Sequence, residues 1–275
     1  MNSLATNRSI SHEITAAPLR DRQMLNKVPK ITIFFWIIKI LTTTVGETAA
    51  DFLNANLNLG LTNTTFVMSG LLLITLFFQF RSRKYVPGIY WLAVVLISVV
   101  GTLISDNLVD NLGVSLETTT TIFTFALLVT FAAWYASEKT LSIHSIYTVK
   151  REAFYWSAIL FTFALGTAAG DLTAEGLNLG YWESALMFAA LIGAVTIAHY
   201  FFKLNAVLAF WIAYILTRPL GASLGDYLSQ PRHAGGLGLG TIGTSAVFLI
   251  TILSLVIYLT KTRKDEIPLP SSAEE

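Results

Sequence analysis

Residues 34–60 read FFWIIKILTTTVGETAADFLNANLNLG. The stretch opens as a membrane helix does, with Phe, Ile and Leu on every side. It then sets Lys39, Glu47 and Asp51 where hydrocarbon is expected. A charge in hydrocarbon is costly, so such residues turn toward a bundle interior or a water-filled cavity. The phrase returns three times: YWLAVVLISVVGTLISDNLVDNLG at 90–113, YWSAILFTFALGTAAGDLTAEGLNLG at 155–180 and FWIAYILTRPLGASLGDYLSQP at 210–231. Each copy has a Trp, a Gly ten residues on and an Asp fifteen residues on. These are Trp36, Gly46, Asp51; Trp91, Gly101, Asp106; Trp156, Gly166, Asp171; and Trp211, Gly221, Asp226. The four aspartates are most of the seven in the chain, so the match is an internal repeat. The Trp intervals are 55, 65 and 55, and LNLG recurs at 57–60 and 177–180, which points to a two-helix unit doubled twice.

Outward from that phrase, the 275 residues are 54% hydrophobic and 13% charged. A soluble domain carries about 25% charged residues, so this chain has too little polar material to clothe a globule in water. Eight apolar runs have the length a bilayer demands: 31–53, 64–80, 88–109, 118–136, 154–174, 183–202, 205–228 and 241–260. The runs are continuous rather than alternating, which argues against barrel strands. The predicted fold class is an all-α integral membrane protein. Its eight transmembrane helices form four parallel-oriented helical-hairpin repeats, at about 31–84, 85–150, 151–203 and 204–260, with pseudo-symmetry along the membrane normal. Inverted repeats would relate the halves differently. Residues 1–30 and 261–275 read as polar, disordered tails, and the first of them lacks the apolar core of a signal peptide.

Basic residues fall on one face. They precede the first span (Arg8, Arg20, Arg22, Lys27, Lys30), fill the loops at 81–84, 139–151 and 203, and follow the last span at 261–264. The opposite loops offer only Arg232. The positive-inside rule then places both termini in the cytoplasm.

Each repeated residue has a plain reading beside a functional one. Four residues after each repeat Gly comes another small residue (Ala50, Ser105, Gly170, Gly225), a spacing that lets helix backbones approach closely. The repeat Trp residues follow the basic face and read as interfacial anchors, as do Trp134 and Trp182 outside the pattern. Positions eleven, fifteen and nineteen after each Trp share a helix face. They read Glu47, Asp51, Ala55; Thr102, Asp106, Asp110; Thr167, Asp171, Glu175; and Ala222, Asp226, Gln230. Like-oriented repeats hold equivalent residues at equal depth, so four Asp would form a ring or two facing pairs. Against this, Asp51 lies about 30 Å along a helix that starts at Ile31, near the outer interface, where solvation alone would suffice. Lys39 is expected to pair with a carboxylate or to snorkel to the cytoplasmic interface. Arg218 is expected to pair with a carboxylate, and Pro219 to kink its helix. Glu117 and Glu183 open second helices and read as N-terminal caps. The insertion QPRHAGGLGLG at 230–240 reads as a flexible outer loop, since it lacks the context of a phosphate loop.

A two-span hydrophobic repeat with its Trp, present four times over about 31–260, resembles a largely uncharacterised family of bacterial membrane proteins built from four tandem two-helix repeats. The resemblance implies this architecture and a bacterial inner-membrane address, and it implies no activity.

Absent Cys excludes disulfides, thiolate metal sites and thiol nucleophiles, and four scattered His show no ligand spacing. The expected function is transport or export of a cation, because a ring of carboxylates selects cations. Oxygen-only ligands suit a hard divalent ion such as Mn²⁺. The expected ion-binding and metal residues are Asp51, Asp106, Asp171 and Asp226, with Glu47, Asp110 and Glu175 as auxiliaries and Lys39 and Arg218 as an ion-pairing or gating pair. The alternative is a membrane assembly or sensor protein whose acids only lock helices together. An enzyme is not expected: SLGDYL at 223–228 departs from the Gly-x-Gly-Asp pattern of intramembrane aspartyl proteases, with Ser223 at the first Gly position. No cofactor is expected, a bound divalent cation being the substrate. The expected partners are the lipid bilayer and a small cation. Nothing points to nucleic acid, and the oligomeric state stays open.

Overall fold

Long apolar runs without backbone partners in lipid must bond within themselves, and they do so as helices. The computed structural model describes residues 26–56 and 60–266, and eight long helices account for most of them. They are α1 (Ile33–Asn56), α2 (Gly60–Arg81), α3 (Pro87–Asp106), α4 (Leu116–Glu138), α5 (Val149–Asp171), α6 (Tyr181–Phe202), α7 (Ala206–Ser229) and α8 (Thr241–Thr262). No strand occurs among the described residues. Each helix is long and apolar enough to cross a membrane. Short wider-wound π turns, Asn107–Asn111 and Leu172–Gly176, prolong α3 and α5.

The helices form two concentric layers. The first helices of the four repeats make a closed inner ring, in which α1 packs on α3, α3 on α5, α5 on α7 and α7 on α1. The second helices lie outside. Each packs mainly against the first helix of the following repeat: α2 on α3, α4 on α5, α6 on α7, and α8 back on α1. The outer layer presents Phe66, Leu73, Phe125, Phe201 and Ile250 at its surface, the apolar side chains a bilayer requires. The molecule is a multi-pass membrane protein.

The repeat glycines explain why the ring closes. A Cβ on Gly46 would overlap the Ser98 side chain, one on Gly101 would stand 2.6 Å from Phe163 Cβ, one on Gly166 would overlap Arg218, and one on Gly221 would overlap Thr43. Ser98, Phe163, Arg218 and Thr43 all stand seven residues after their Trp. Each repeat therefore drops the same knob into the glycine notch of the repeat before it, and the fourth notch receives the first repeat. One turn further on, a Cβ on Gly170 would meet Ala222 Cβ at 3.4 Å, and one on Gly225 would meet Glu47 Cβ at 3.2 Å. Close packing is thus what these small residues supply, as the small-xxx-small spacing predicts.

The tryptophans depart from expectation. Trp91, Trp156 and Trp211 are buried, while Trp36 is half-buried; Trp134 is buried as well, stacked on Phe154 and edge-on to Trp211. The residue before each repeat Trp is aromatic in all four copies: Phe35, Tyr90, Tyr155 and Phe210, all buried. Each touches the Trp of the next repeat. The centroid distances are 5.7 Å for Phe35–Trp91, 5.5 Å for Tyr90–Trp156, 6.3 Å for Tyr155–Trp211 and 5.7 Å for Phe210–Trp36. An interfacial belt becomes an internal aromatic layer, because tilted ring-on-ring packing between repeats supplies the contact that lipid would otherwise make. Trp182 remains exposed, with its ring against Tyr227.

Both tail boundaries lie further out than the hydropathy suggests. Lys27 is fully buried, donating to Glu152 at 2.7 Å and to the Phe80 carbonyl at 2.9 Å, while Gln79 donates to the second Glu152 oxygen at 3.0 Å. At the other end Asp265 is buried, accepts from the Tyr85 hydroxyl at 2.6 Å and, through its backbone carbonyl, from Lys30 N at 2.8 Å. Residues 1–25 and 267–275 of the expected tails lie outside the described residues.

Burial raises the Asp265 carboxyl above its ordinary 3.8, against the pull of the Tyr85 hydrogen bond. Burial, then the neighbouring Asp265 charge, pushes the Tyr85 phenol up as well. An acid whose folded pKa is raised stabilises the fold below its unfolded pKa, and that contribution is lost as pH rises through the folded value. The thermal midpoint of the wild type is therefore expected to fall from about pH 4 upward more steeply than that of Asp265→Asn. Parallel pH profiles of the two proteins in detergent would contradict this.

Candidate cation-binding site

Every repeat delivers its position eleven residues after Trp to one level of the inner ring. Glu47, Thr102 and Thr167 occupy three corners, and all three are buried. The fourth corner belongs to Ala222, which is too small to reach inward. Arg218, one turn earlier on α7, fills that space. The two hydrogens of its Nη2 are shared among three acceptors, Glu47 Oε2 at 2.9 Å, Thr167 Oγ1 at 2.6 Å and Thr102 Oγ1. The two threonines spend their own protons on the carbonyls of Phe163 and Ser98 one turn back, at 3.3 and 3.2 Å. Their lone pairs are left for the guanidinium. Arg218 is fully buried, and its Nε and Nη1 find no acceptor among the described residues. The predicted pairing of Arg218 with a carboxylate is present, and the carboxylate is Glu47.

One turn beyond stand the four repeat aspartates. Asp226 is buried, while Asp51, Asp106 and Asp171 are half-buried. One carboxylate oxygen each from Glu47, Asp171 and Asp226 lies within 4.8 Å of the other two. Each of the four aspartates also interacts electrostatically with Glu47 and with at least one further acid of the group. The acids therefore gather at one end of the ring, with Glu47 at the inner edge. Asp51 and Asp106 belong to this field but not to the tight trio.

Asp110 and Glu175 sit on the π turns, and both are exposed. They remain in the electrostatic field of the cluster: Asp110 acts on Asp51 and Asp106, and Glu175 acts on Asp51, Asp171 and Asp226. Both therefore stand at the solvent-side rim of the acidic face. Glu175 also accepts from the Tyr181 hydroxyl at 2.9 Å and lines a cavity of about 410 Å³ with Trp182, Glu183 and Tyr227.

Lys39 overturns both of its expected placements. It is fully buried, so it does not snorkel, and its ammonium has no hydrogen-bond acceptor among the described residues. It stands over the rings of Tyr214 and Phe163, 4.2 and 4.3 Å from their centroids. Rings replace the carboxylate here, because a cation held against aromatic faces is attracted by their negative centres. Below Lys39 comes the aromatic layer of Phe35, Tyr90, Tyr155 and Phe210. From the face bearing the termini inward, the axis is thus lined by rings, then an ammonium, then a guanidinium bonded to Glu47, then carboxylates. Exposure rises from Glu47 to Asp110 toward the far face.

The aromatic residue before each Trp, present in all four copies, is the sequence signal that corresponds to this aromatic layer. The position seven residues after Trp carries no shared chemistry. Its partner, the glycine, does, and only the packing joins them.

Eight spanning helices, four like-oriented hairpins and an acidic cluster at one end of the inner ring define a membrane repeat protein with a polar axis. A family model described as Repeat of Unknown Function (DUF347) matches four times, at residues 34–85, 89–140, 154–205 and 209–265, and the chain belongs to that family. The family's boundaries coincide with the hairpins found here. No curated protein and no solved structure gives a match.

Proposed function

We propose that the protein carries a cation across the membrane, with Glu47, Asp171 and Asp226 as central ligands and Asp51 and Asp106 at the rim. One observation carries this reading: three carboxylates converge within 4.8 Å in a largely buried site where, among the described residues, Arg218 is the single paired cation. Carboxylates so close in a poorly solvated place repel one another strongly. A metal ion or protons must offset the excess charge. The ligands are all oxygen, which favours Mg²⁺, Ca²⁺ or Mn²⁺, and Mn²⁺ is the first choice. The basic residues at the face bearing the termini support a cytoplasmic orientation for that face, and a bacterial inner membrane is the proposed address. The rings, Lys39 and Arg218 then close the site on the cytoplasmic side, and loading is from outside in this conformation.

A second reading is favoured by the hydrogen bonds of Arg218. In it the protein is a non-transporting assembly or sensor, and the acids only lock helices. Asp171 separates the two, because it carries ligand chemistry but makes no hydrogen bond to Arg218. Uptake of Mn²⁺, Mg²⁺ and Ca²⁺ into liposomes bearing the purified protein is the test. For the carried ion, Asp171→Asn is expected to reduce uptake by about tenfold or more, the scale on which weakened metal sites lose affinity. Equal uptake by Asp171→Asn and wild type, or no uptake of any ion, favours the structural reading.

A further inference from the structure

We propose that the guanidinium of Arg218 is the resting occupant of the cation site, and that a bound cation and the Arg218–Glu47 pair exclude one another. This rests on the transport reading above and adds a built-in competitor to it.

Glu47 belongs to two constellations at once. Its Oε2 accepts from Arg218 Nη2 at 2.9 Å, and one of its oxygens belongs to the trio with Asp171 and Asp226. A hard cation binds carboxylate oxygens at about 2.0–2.6 Å. An ion on Glu47 would therefore sit a few ångströms from the guanidinium, in a place that water screens poorly. Two positive charges cannot share that one carboxylate at full strength. Binding a cation draws Glu47 toward the aspartates, and Arg218 must release it.

The surroundings of Arg218 allow that release. Its stem is fixed, because Cβ and Cγ fill the notch left by Gly166. Its head is under-committed: Glu47 is its only ion-pair partner among the described residues, and Nε and Nη1 lack acceptors. Thr102 and Thr167 would keep hold of Nη2 after Glu47 leaves. The Phe163 ring, 5.6 Å from the guanidinium carbon, offers a second, uncharged support. Ala222 supplies no polar side chain at the corner, so Arg218 alone of the fourth repeat reaches it.

The experiment is a titration of MnCl₂ against the purified full-length protein in detergent, read as thermal stabilisation. If Arg218 competes, Arg218→Ala responds at about tenfold lower Mn²⁺ than wild type, the scale of a typical site-to-site coupling. Free guanidinium chloride at low millimolar concentration then restores the competition in Arg218→Ala, raising its Mn²⁺ midpoint, and leaves the wild-type midpoint unmoved. Arg218→Lys is the second variant, for the case that Arg218→Ala does not fold. It keeps a buried cation but withdraws the fork from Glu47, and its midpoint falls below that of wild type. Midpoints in the folded variants equal to or above wild type overturn the competitor while leaving the site intact. Stabilisation of neither wild type nor variants by Mn²⁺, Mg²⁺ or Ca²⁺ removes the cation site and the competitor together.

Discussion

Gly101→Val is expected to destabilise the protein by about 3 kcal/mol or more, the upper range for overpacking a filled interior. A single Cβ at this position would stand 2.6 Å from Phe163 Cβ and 3.1 Å from the backbone nitrogen of Ala164. Neither atom can swing aside, since one roots a side chain and the other belongs to α5. Gly70 is the control: a Cβ there meets nothing within 4 Å. Gly70→Ala is expected to be neutral or to stabilise by up to about 1 kcal/mol, through helix propensity. The register can be checked by exchange. Gly46→Ala collides with Ser98, and adding Ser98→Gly should recover most of the lost thermal midpoint. No recovery, with Gly101→Val as stable as Gly70→Ala, would refute the knob-and-notch ring.

Glu47→Leu is expected to cost about 3–5 kcal/mol, because it strands a buried guanidinium without its counter-charge. The double variant Glu47→Leu/Arg218→Leu should be more stable than Glu47→Leu alone, since two apolar residues leave no charge to desolvate. Unfolding in detergent, followed through the buried tryptophans, reads both. Additive losses would mean that the two side chains act independently, against the 2.9 Å contact that joins them. This cycle measures stability, so it holds whether or not an ion is carried.

Particular residues show what the sequence discloses. The Trp–Gly–Asp spacing shows four copies, and continuous apolar runs make each copy two helices. Equal orientation then follows from an even number of spans per copy. The ring is not legible, because a repeat states what recurs and not which copy touches which. The pairing of Gly166 with Arg218 becomes visible only when helices are placed. The acidic level is legible at Asp51, Asp106, Asp171 and Asp226, since all four share one offset from Trp. Asp110 and Glu175 stay in the field of those aspartates, but their exposure on wider-wound π turns is not legible in an α-helical count. Lys39 is misplaced because an ammonium can be held by rings from two other helices, Phe163 on α5 and Tyr214 on α7. No local pattern around Lys39 announces them.

Because α8 seals against α1, the hairpin made last covers the hairpin made first. During synthesis α1 enters the bilayer with one flank bare and keeps it bare until the chain is nearly complete. A polypeptide stopped before residue 241 would leave that seam unzipped, with Thr48, whose hydroxyl lies 2.6 Å from that of Ser245 in the finished protein, facing lipid. The circle has no natural beginning. Joining the present ends and cutting instead at the turn between Arg81 and Pro87 would yield the same bundle from a differently ordered gene.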